Sequence, residues 1–303
     1  MAMIDLFKVF MSPTAPIEVG KVLTSGFIGQ GKKVEEFEAK LKQHFNNDYL
    51  LTVNSCTSAL TLALHLIKSP EKGKEVIVSP LTCFATAAAV INNGLTIRWA
   101  DIDPNTCNVD TYDIERKVNE NTCAVVIVHW GGTPVNMKHI NEIKNKYKIT
   151  YGKDLPIVED CAHCWNSKYN DELIGNSGNY CCFSFQAIKF LTMGDGGLLI
   201  TPNAEIHNRA KLLRWFGLDR DKGVSMRCIQ DITETGFKYQ LTDIAATIGL
   251  ENLPHINRNV SLHKDNANFY NKTLNHTCGI YLLNDSIEKE SCYWLYTIKV
   301  DDR

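Results

Sequence analysis

Short apolar runs recur along this chain with helix-like stretches between them, and that alternation restricts the fold more than any other feature. YLLTV, with Tyr49 ahead of 50–53, precedes TSALTLALHLIK; EVIVS precedes TCFATAAAVINN, and TIRWADID follows. CAVVIVHW leads into MKHINEIKNKYK and then LPIVED; CCFSF, GGLLIT and a helix-patterned NAEIHNRAKLLRWFG come next. Consecutive apolar residues without polar alternation suit strands covered on both faces. Helices between them suit parallel crossovers. The expectation is an α/β fold whose mainly parallel central sheet is sandwiched by helices. From Leu241 the pattern turns helical, through LTDIAATIGLENL and a polar-rich helix to about Asn275, then gives strand-like GIYLL and YWLYTIKV. That shift predicts a large domain over residues 1–245 and a smaller α/β domain over 246–303.

A chain of 303 residues can bury a sizeable core, and its formal net charge of −2 offers no electrostatic footprint for nucleic acid. No apolar run reaches membrane-spanning length. The opening MAMIDLFKVFMSPTAPIEVG lacks a basic region followed by a pure apolar segment, so a soluble, cytoplasmic protein is expected. The 11 cysteines are scattered, several inside strand-like runs where a thiol acts as a small hydrophobe, so reduced thiols are expected.

In open α/β sheets, ligands bind beyond the carboxyl ends of strands, so the residues just after each apolar run carry the chemistry. After YLLTV comes NSCTSAL, where Thr57 and Ser58 open a helix. Backbone N–H groups and hydroxyls there make a phosphate cradle, or the two residues simply cap the helix. After LPIVED stand Asp160 and His163. A carboxylate at a strand end could hold a protonated heterocyclic nitrogen, or it could be a cap or an ion-pair partner. After CCFSF come Ser184 and, five residues on, Lys189 in FSFQAIKFLTMGDGG. A desolvated lysine at a strand end can serve as an amine nucleophile toward carbonyls, whereas an isolated one normally snorkels to water. Together, a phosphate cradle, a carboxylate, a serine near a lysine and a glycine-rich loop are the parts that hold pyridoxal phosphate. The lysine makes the imine, and the carboxylate pairs with the ring nitrogen so the ring can draw in electrons.

The order and wording of these segments resemble the DegT/DnrJ/StrS family of pyridoxal-phosphate sugar aminotransferases, from GFIGQGKKVEEFEAKL onward. Similarity is most specific in VEDCAHCWNSKYNDELIGNSGNYCCFSFQAIKFLTMGDGG and GFKYQLTDIAATIGLENL. The resemblance implies the type I fold of pyridoxal-phosphate transferases, like aspartate aminotransferase. It also implies Lys189 as the Schiff-base lysine, Asp160 as the ring-nitrogen partner and His163 near the cofactor's phenolic oxygen. Ser184, Thr57 and Ser58 would hold the phosphate. Cys56 stands where the family usually has glycine. In SPLTCFAT the ring-stacking aromatic aligns with Cys83, with Phe84 beside it. In GFKYQL, Lys238 replaces an asparagine that the family often sends to the neighbouring subunit's phosphate, which implies a homodimer with shared sites. The family continues beyond the position of Arg303, so the small domain is expected to be incomplete. The implied reaction moves an amino group from glutamate to a nucleotide-linked keto sugar, with the pyridoxamine form as intermediate. The commonest such acceptor is a 4-keto-6-deoxyhexose, giving a viosamine- or perosamine-type product. A sugar dehydratase on the same scaffold, where histidine replaces the lysine, and a non-catalytic homologue are the alternatives.

Other motifs carry less. CAHC lacks a second pair at zinc spacing, so no metal is expected. GFIGQG follows no strand and is not a dinucleotide fingerprint. Asp101 and Asp103 read as turn and cap residues, Asp195 as shaping its loop, and Asn108 and Asp110 as solvated. His129 and Trp130 line the site's floor or pack beneath it.

Overall fold

The computed structural model describes residues 7–69, 71, 73–223, 229–283 and 288–301. The opening hexapeptide and Arg303 lie outside them. The central sheet is built from β1 (Leu50–Val53), β2 (Glu75–Val78), β3 (Thr96–Trp99), β4 (Thr122–Val128), β5 (Ile157–Asp160), β8 (Tyr180–Ser184) and β9 (Gly197–Ile200). Their order is β1-β9-β8-β5-β4-β2-β3. Only β9 runs antiparallel to its neighbours, so two reversals return β1 to the direction of β8. The carboxyl ends of β1, β2, β4, β5 and β8 therefore open on one edge, where ligands of such sheets bind.

Period-two burial explains why these runs read as continuously apolar. Val125, Ile127, Ile157, Cys181, Phe183, Leu198 and Ile200 point into one core, with Phe37, Phe45 and Trp165. Ala124, Val126, Val158, Cys182 and Leu199 point into the other, against the apolar helix α3 (Cys56–Ile67). Both faces are covered, so both residue parities are mainly apolar, and a polar exception such as Glu159 is hydrogen-bonded where it is buried.

The remaining helices are α1 (Ala15–Ser25), α2 (Lys32–Phe45), α4 (Phe84–Asn92), α5 (Thr111–Lys117), α6 (Met137–Tyr151), α7 (Ala204–Leu213), α8 (Asp243–Asn252) and α9 (Ile256–Leu274). Asp243 joins distant parts of the chain: its Oδ1 accepts from the backbone N–H of Gly31 at 2.7 Å and Val34 at 3.1 Å, capping α2 from another helix. Position 245 lies within α8, which packs on α1 and α2. Small antiparallel pairings complete the fold: β6 (Lys168–Tyr169) between β7 (Glu172–Leu173) and β11 (Lys289–Glu290), and β10 (Ile280–Leu282) with β12 (Ile298–Val300). No described helix is long and apolar enough to cross a membrane.

Two expectations change. YWLYTIKV is not one strand: only Ile298–Val300 pairs, and Tyr293 takes a left-handed φ of 51°. Trp294 is thereby buried against His163, while Tyr296 packs on Tyr270 of α9. Asn108 is buried, not solvated. Its Nδ2 donates to the carbonyls of Thr133 and Pro134, and its Oδ1 accepts from Trp130 N at 2.8 Å, pinning the turn after β4.

Candidate active site

Asp160 ends β5 with its carboxylate buried. Thr86 Oγ1, in the first turn of α4, donates to Oδ2 at 2.7 Å and itself pairs with Thr82 Oγ1; Ala162 N donates to Oδ1 at 3.1 Å. Burial raises the Asp160 pKa above the usual carboxylate value, against the pull of these hydrogen bonds and of Lys189. Among the described residues no cation sits in contact with it. A desolvated carboxylate with two fixed donors and no ion-pair partner suits a protonated ring nitrogen. That is the group's fit to this site.

Lys189 lies on the loop joining β8 to β9, a return that starts at Ser184 and closes at Gly197 opposite it. Burial lowers the Lys189 pKa; Asp160, then Cys56 and Cys83, act in the opposite sense. Its Nζ lies 3.6 Å from the centroid of the Trp294 ring. His163 accepts at Nδ1 from Gly131 N, 3.3 Å away, which leaves its Nε2 to carry the proton. Burial, with the Lys189 charge adding to it, pushes this imidazole down to about 3, so it stays neutral near pH 7.

The cradle differs from the reading that Thr57 or Ser58 caps α3. Ser55 is the cap: its Oγ accepts from Ser58 N at 3.1 Å, and the Ser58 hydroxyl donates to Asn54 Oδ1 at 2.6 Å. Thr57 stands half-buried in the first helical turn. Cys56 begins α3 in helical conformation and turns its thiol inward, toward the Cys182 carbonyl at 3.6 Å. A Cβ at Gly197 would lie 2.5 Å from the Ser55 backbone, so only glycine lets β9 approach the start of α3. Ser184 Oγ, partly exposed, accepts from Gln186 N at 3.4 Å. Asp195 Oδ1 accepts from Gly196 N at 2.9 Å, shaping the loop.

Cys83 is the residue before α4 and is exposed; Phe84 is 75% exposed. Lys238 is set apart from this group. Its carbonyl accepts from Asn54 Nδ2, but its exposed Nζ lies 3.5 Å from the Trp215 ring centroid. The sheet edge thus gathers Asp160, His163, Lys189, Cys83, Thr57 and Ser184, while the hydroxyl and N–H of Ser58 serve the cap.

Sequence reasoning missed Thr86 and Trp294. A threonine in the first turn of the apolar FATAAAVI stretch was a signal for Thr86; Trp294 was hidden inside a run taken for a strand. His129 is fully buried, accepting at Nδ1 from Val135 N and meeting Glu159 Oε2 at 3.0 Å through Nε2. Burial raises the Glu159 pKa, but hydrogen bonds from His129, Ser177 and Asn179 outweigh it and bring the carboxyl below its usual range. This satisfied network underlies the strand end that presents Asp160.

The family described as DegT/DnrJ/EryC1/StrS aminotransferases matches residues 14–303. The structure titled AtS13 from Actinomadura melliaura superposes with a TM-score of 0.97 at 43% identity, covering 100% of this chain and 81% of that one. The sugar aminotransferase CalS13 from Micromonospora echinospora gives 0.95 at 36% identity, covering 99% and 81%. GDP-perosamine synthase of Escherichia coli O157:H7 is 31% identical over 281 residues, 92% of this chain and 73% of that protein. A match over nearly the whole chain, a shared fold and a buried carboxylate facing a desolvated lysine converge: the chain belongs to the DegT/DnrJ/EryC1/StrS family and is a pyridoxal-phosphate-dependent sugar aminotransferase.

Proposed function

We propose that the chain transfers the amino group of glutamate to a nucleotide-linked keto sugar, most specifically a 4-keto-6-deoxyhexose, yielding 2-oxoglutarate and a viosamine- or perosamine-type 4-amino sugar. The observation that carries this reading is the presence at one sheet edge of Lys189, a partly buried amine, and Asp160, a buried carboxylate with no ion-pair partner among the described residues. Similarity to a perosamine synthase supports the sugar class. The presence of lysine at position 189 favours transfer over dehydration.

When bound, pyridoxal phosphate supplies an aldehyde for the amine and a ring that accepts electron density. Asp160 would hold the ring nitrogen protonated, its geometry fixed by Thr86 and Ala162. Lys189, once free, would carry a proton between the substrate carbon and the cofactor carbon; holding one amine near both gains proximity as well as acid–base catalysis. His163 would donate through Nε2. Thr57 and Ser184 would meet the phosphate, helped by the N-terminus of α3.

Incubating the cofactor-loaded protein with glutamate and a panel of nucleotide 4-keto-6-deoxyhexoses should form 2-oxoglutarate and amino sugar in equal amounts. A deoxygenated sugar without glutamate consumption would instead establish the dehydratase reading, and no product from any keto sugar would overturn the proposal.

A further inference from the structure

Trp294 comes from the carboxyl-terminal part of the chain, far in sequence from the three strand ends, yet it touches two of the site's side chains. Lys189 Nζ lies 3.6 Å from its ring centroid, and the His163 ring stacks on it at 4.0 Å with 17° between planes. Its own position is fixed from several sides. Nε1 donates to the Ile188 carbonyl at 3.2 Å, beside Lys189 in the chain, and Phe7 stacks at 5.6 Å. The flanking residues are tied down as well: Leu295 N donates to Gly131 O, Cys292 N donates to Ser167 Oγ, and Cys292 Sγ donates to His163 O at 2.9 Å. Tyr293, between them, holds φ at 51°, a conformation costly for a non-glycine residue unless its surroundings enforce it. Gly132 admits this segment, since a Cβ there would meet Cys292 Sγ at 2.5 Å.

An amine that alternates between a covalent bond and a free state needs a resting place that neither neutralises it nor locks it into an ion pair. An aromatic face meets that need, because it attracts a cation through its quadrupole without presenting an anion. The other charged or titratable groups that act on Lys189 are Asp160 at the end of β5, Cys56 at the start of α3 and Cys83 before α4, and His163 stacks on the same Trp294 ring. None of these makes an ion pair with the amine in this structure.

We propose that Trp294 is a positioning residue for Lys189: its indole face is the docking place of the lysine's ammonium whenever the amine is released. The proposal rests on Lys189 being the working amine, as the proposed function has it, but its test needs neither cofactor nor sugar. Removing the ring removes a contact that favours the charged form, so the amine gives up its proton more readily.

The experiment compares apoprotein of wild type, Trp294→Phe and Trp294→Leu. Labelling of Lys189 by trinitrobenzenesulfonate is followed against pH and read by peptide mass spectrometry, with the remaining lysines as internal references. Trp294→Leu should lower the Lys189 labelling midpoint by about one pH unit, making labelling roughly tenfold faster below it. Trp294→Phe, a weaker partner of similar shape, should shift it in the same direction by less. An unchanged midpoint in the leucine variant, or a change shared by all lysines, would overturn the proposal. If the leucine variant does not fold, an unmoved midpoint in the phenylalanine variant overturns it. A shifted midpoint in a protein that forms no amino sugar would keep this inference and reject the substrate assignment instead.

Discussion

Asp160 is held in a place that does not suit it until something positive arrives. Its folded-state pKa is raised, chiefly by burial, so ionising it opposes folding: the carboxyl's contribution to stability is complete below its unfolded value and is lost as pH rises through the folded one. Asp160→Asn, which keeps the shape and removes the charge, should therefore raise the melting temperature of the apoprotein by a few degrees at pH 8. The difference should close as pH falls toward 4. The same variant should slow amino transfer by orders of magnitude, because the ring nitrogen loses its counter-charge. Equal melting temperatures at pH 8, measured by calorimetry on cofactor-free protein, would show that the carboxylate is comfortable there. At this scale no single residue was legible by itself, since a carboxylate or lysine at a strand end can be a cap, an ion-pair partner or a snorkelling side chain; Asp160, His163 and Lys189 stood out as a set after successive apolar strands and through the family resemblance. Ser58 was less legible, because a hydroxyl at a helix start serves a cap as readily as a ligand, and Ser55 and Asn54 decide which.

The loop from β8 to β9 shows why elements, not residues alone, build the site. Its two ends are paired at Ser184 and Gly197, so Lys189 rides on a closed hairpin connection, and Gly197 lets that hairpin lie against the first residues of α3. Gly197→Ala must push Ser55 and Cys56 away by several tenths of an ångström or more, since real Cβ atoms do not come within 2.5 Å of backbone. We expect cofactor affinity to fall at least tenfold while far-ultraviolet circular dichroism stays unchanged; equilibrium dialysis of pyridoxal phosphate measures it, and wild-type affinity would contradict the role given to this contact. Strands in the middle of the sheet were readable because both of their faces are covered and most of their residues are apolar. The tail was not, because YWLYTIKV has the composition of a strand while contacts from Ser167, Gly131 and His263 bend its first half into the site. Asn108 likewise gave no local sign of burial; its partners lie on the turn after β4.

Across the whole molecule, one topological fact organises the chemistry. Because β9 reverses direction between β8 and β1, the loops after β1, β5 and β8 open on the same edge, and residues more than a hundred positions apart meet there. Alternation of strands and helices made that architecture legible. The reversal itself was not, since an apolar strand does not declare its direction. The two core clusters on either face of the sheet anchor the strands whose ends carry Asp160 and lead to Lys189. The account stands on one side chain, and the most direct measurement addresses it alone. The protein is incubated with pyridoxal phosphate, reduced with borohydride, digested and mapped by mass spectrometry. The account predicts a single phosphopyridoxyl modification, on Lys189, absent from Lys189→Ala; a modification on another lysine, or none at saturating cofactor, would contradict it.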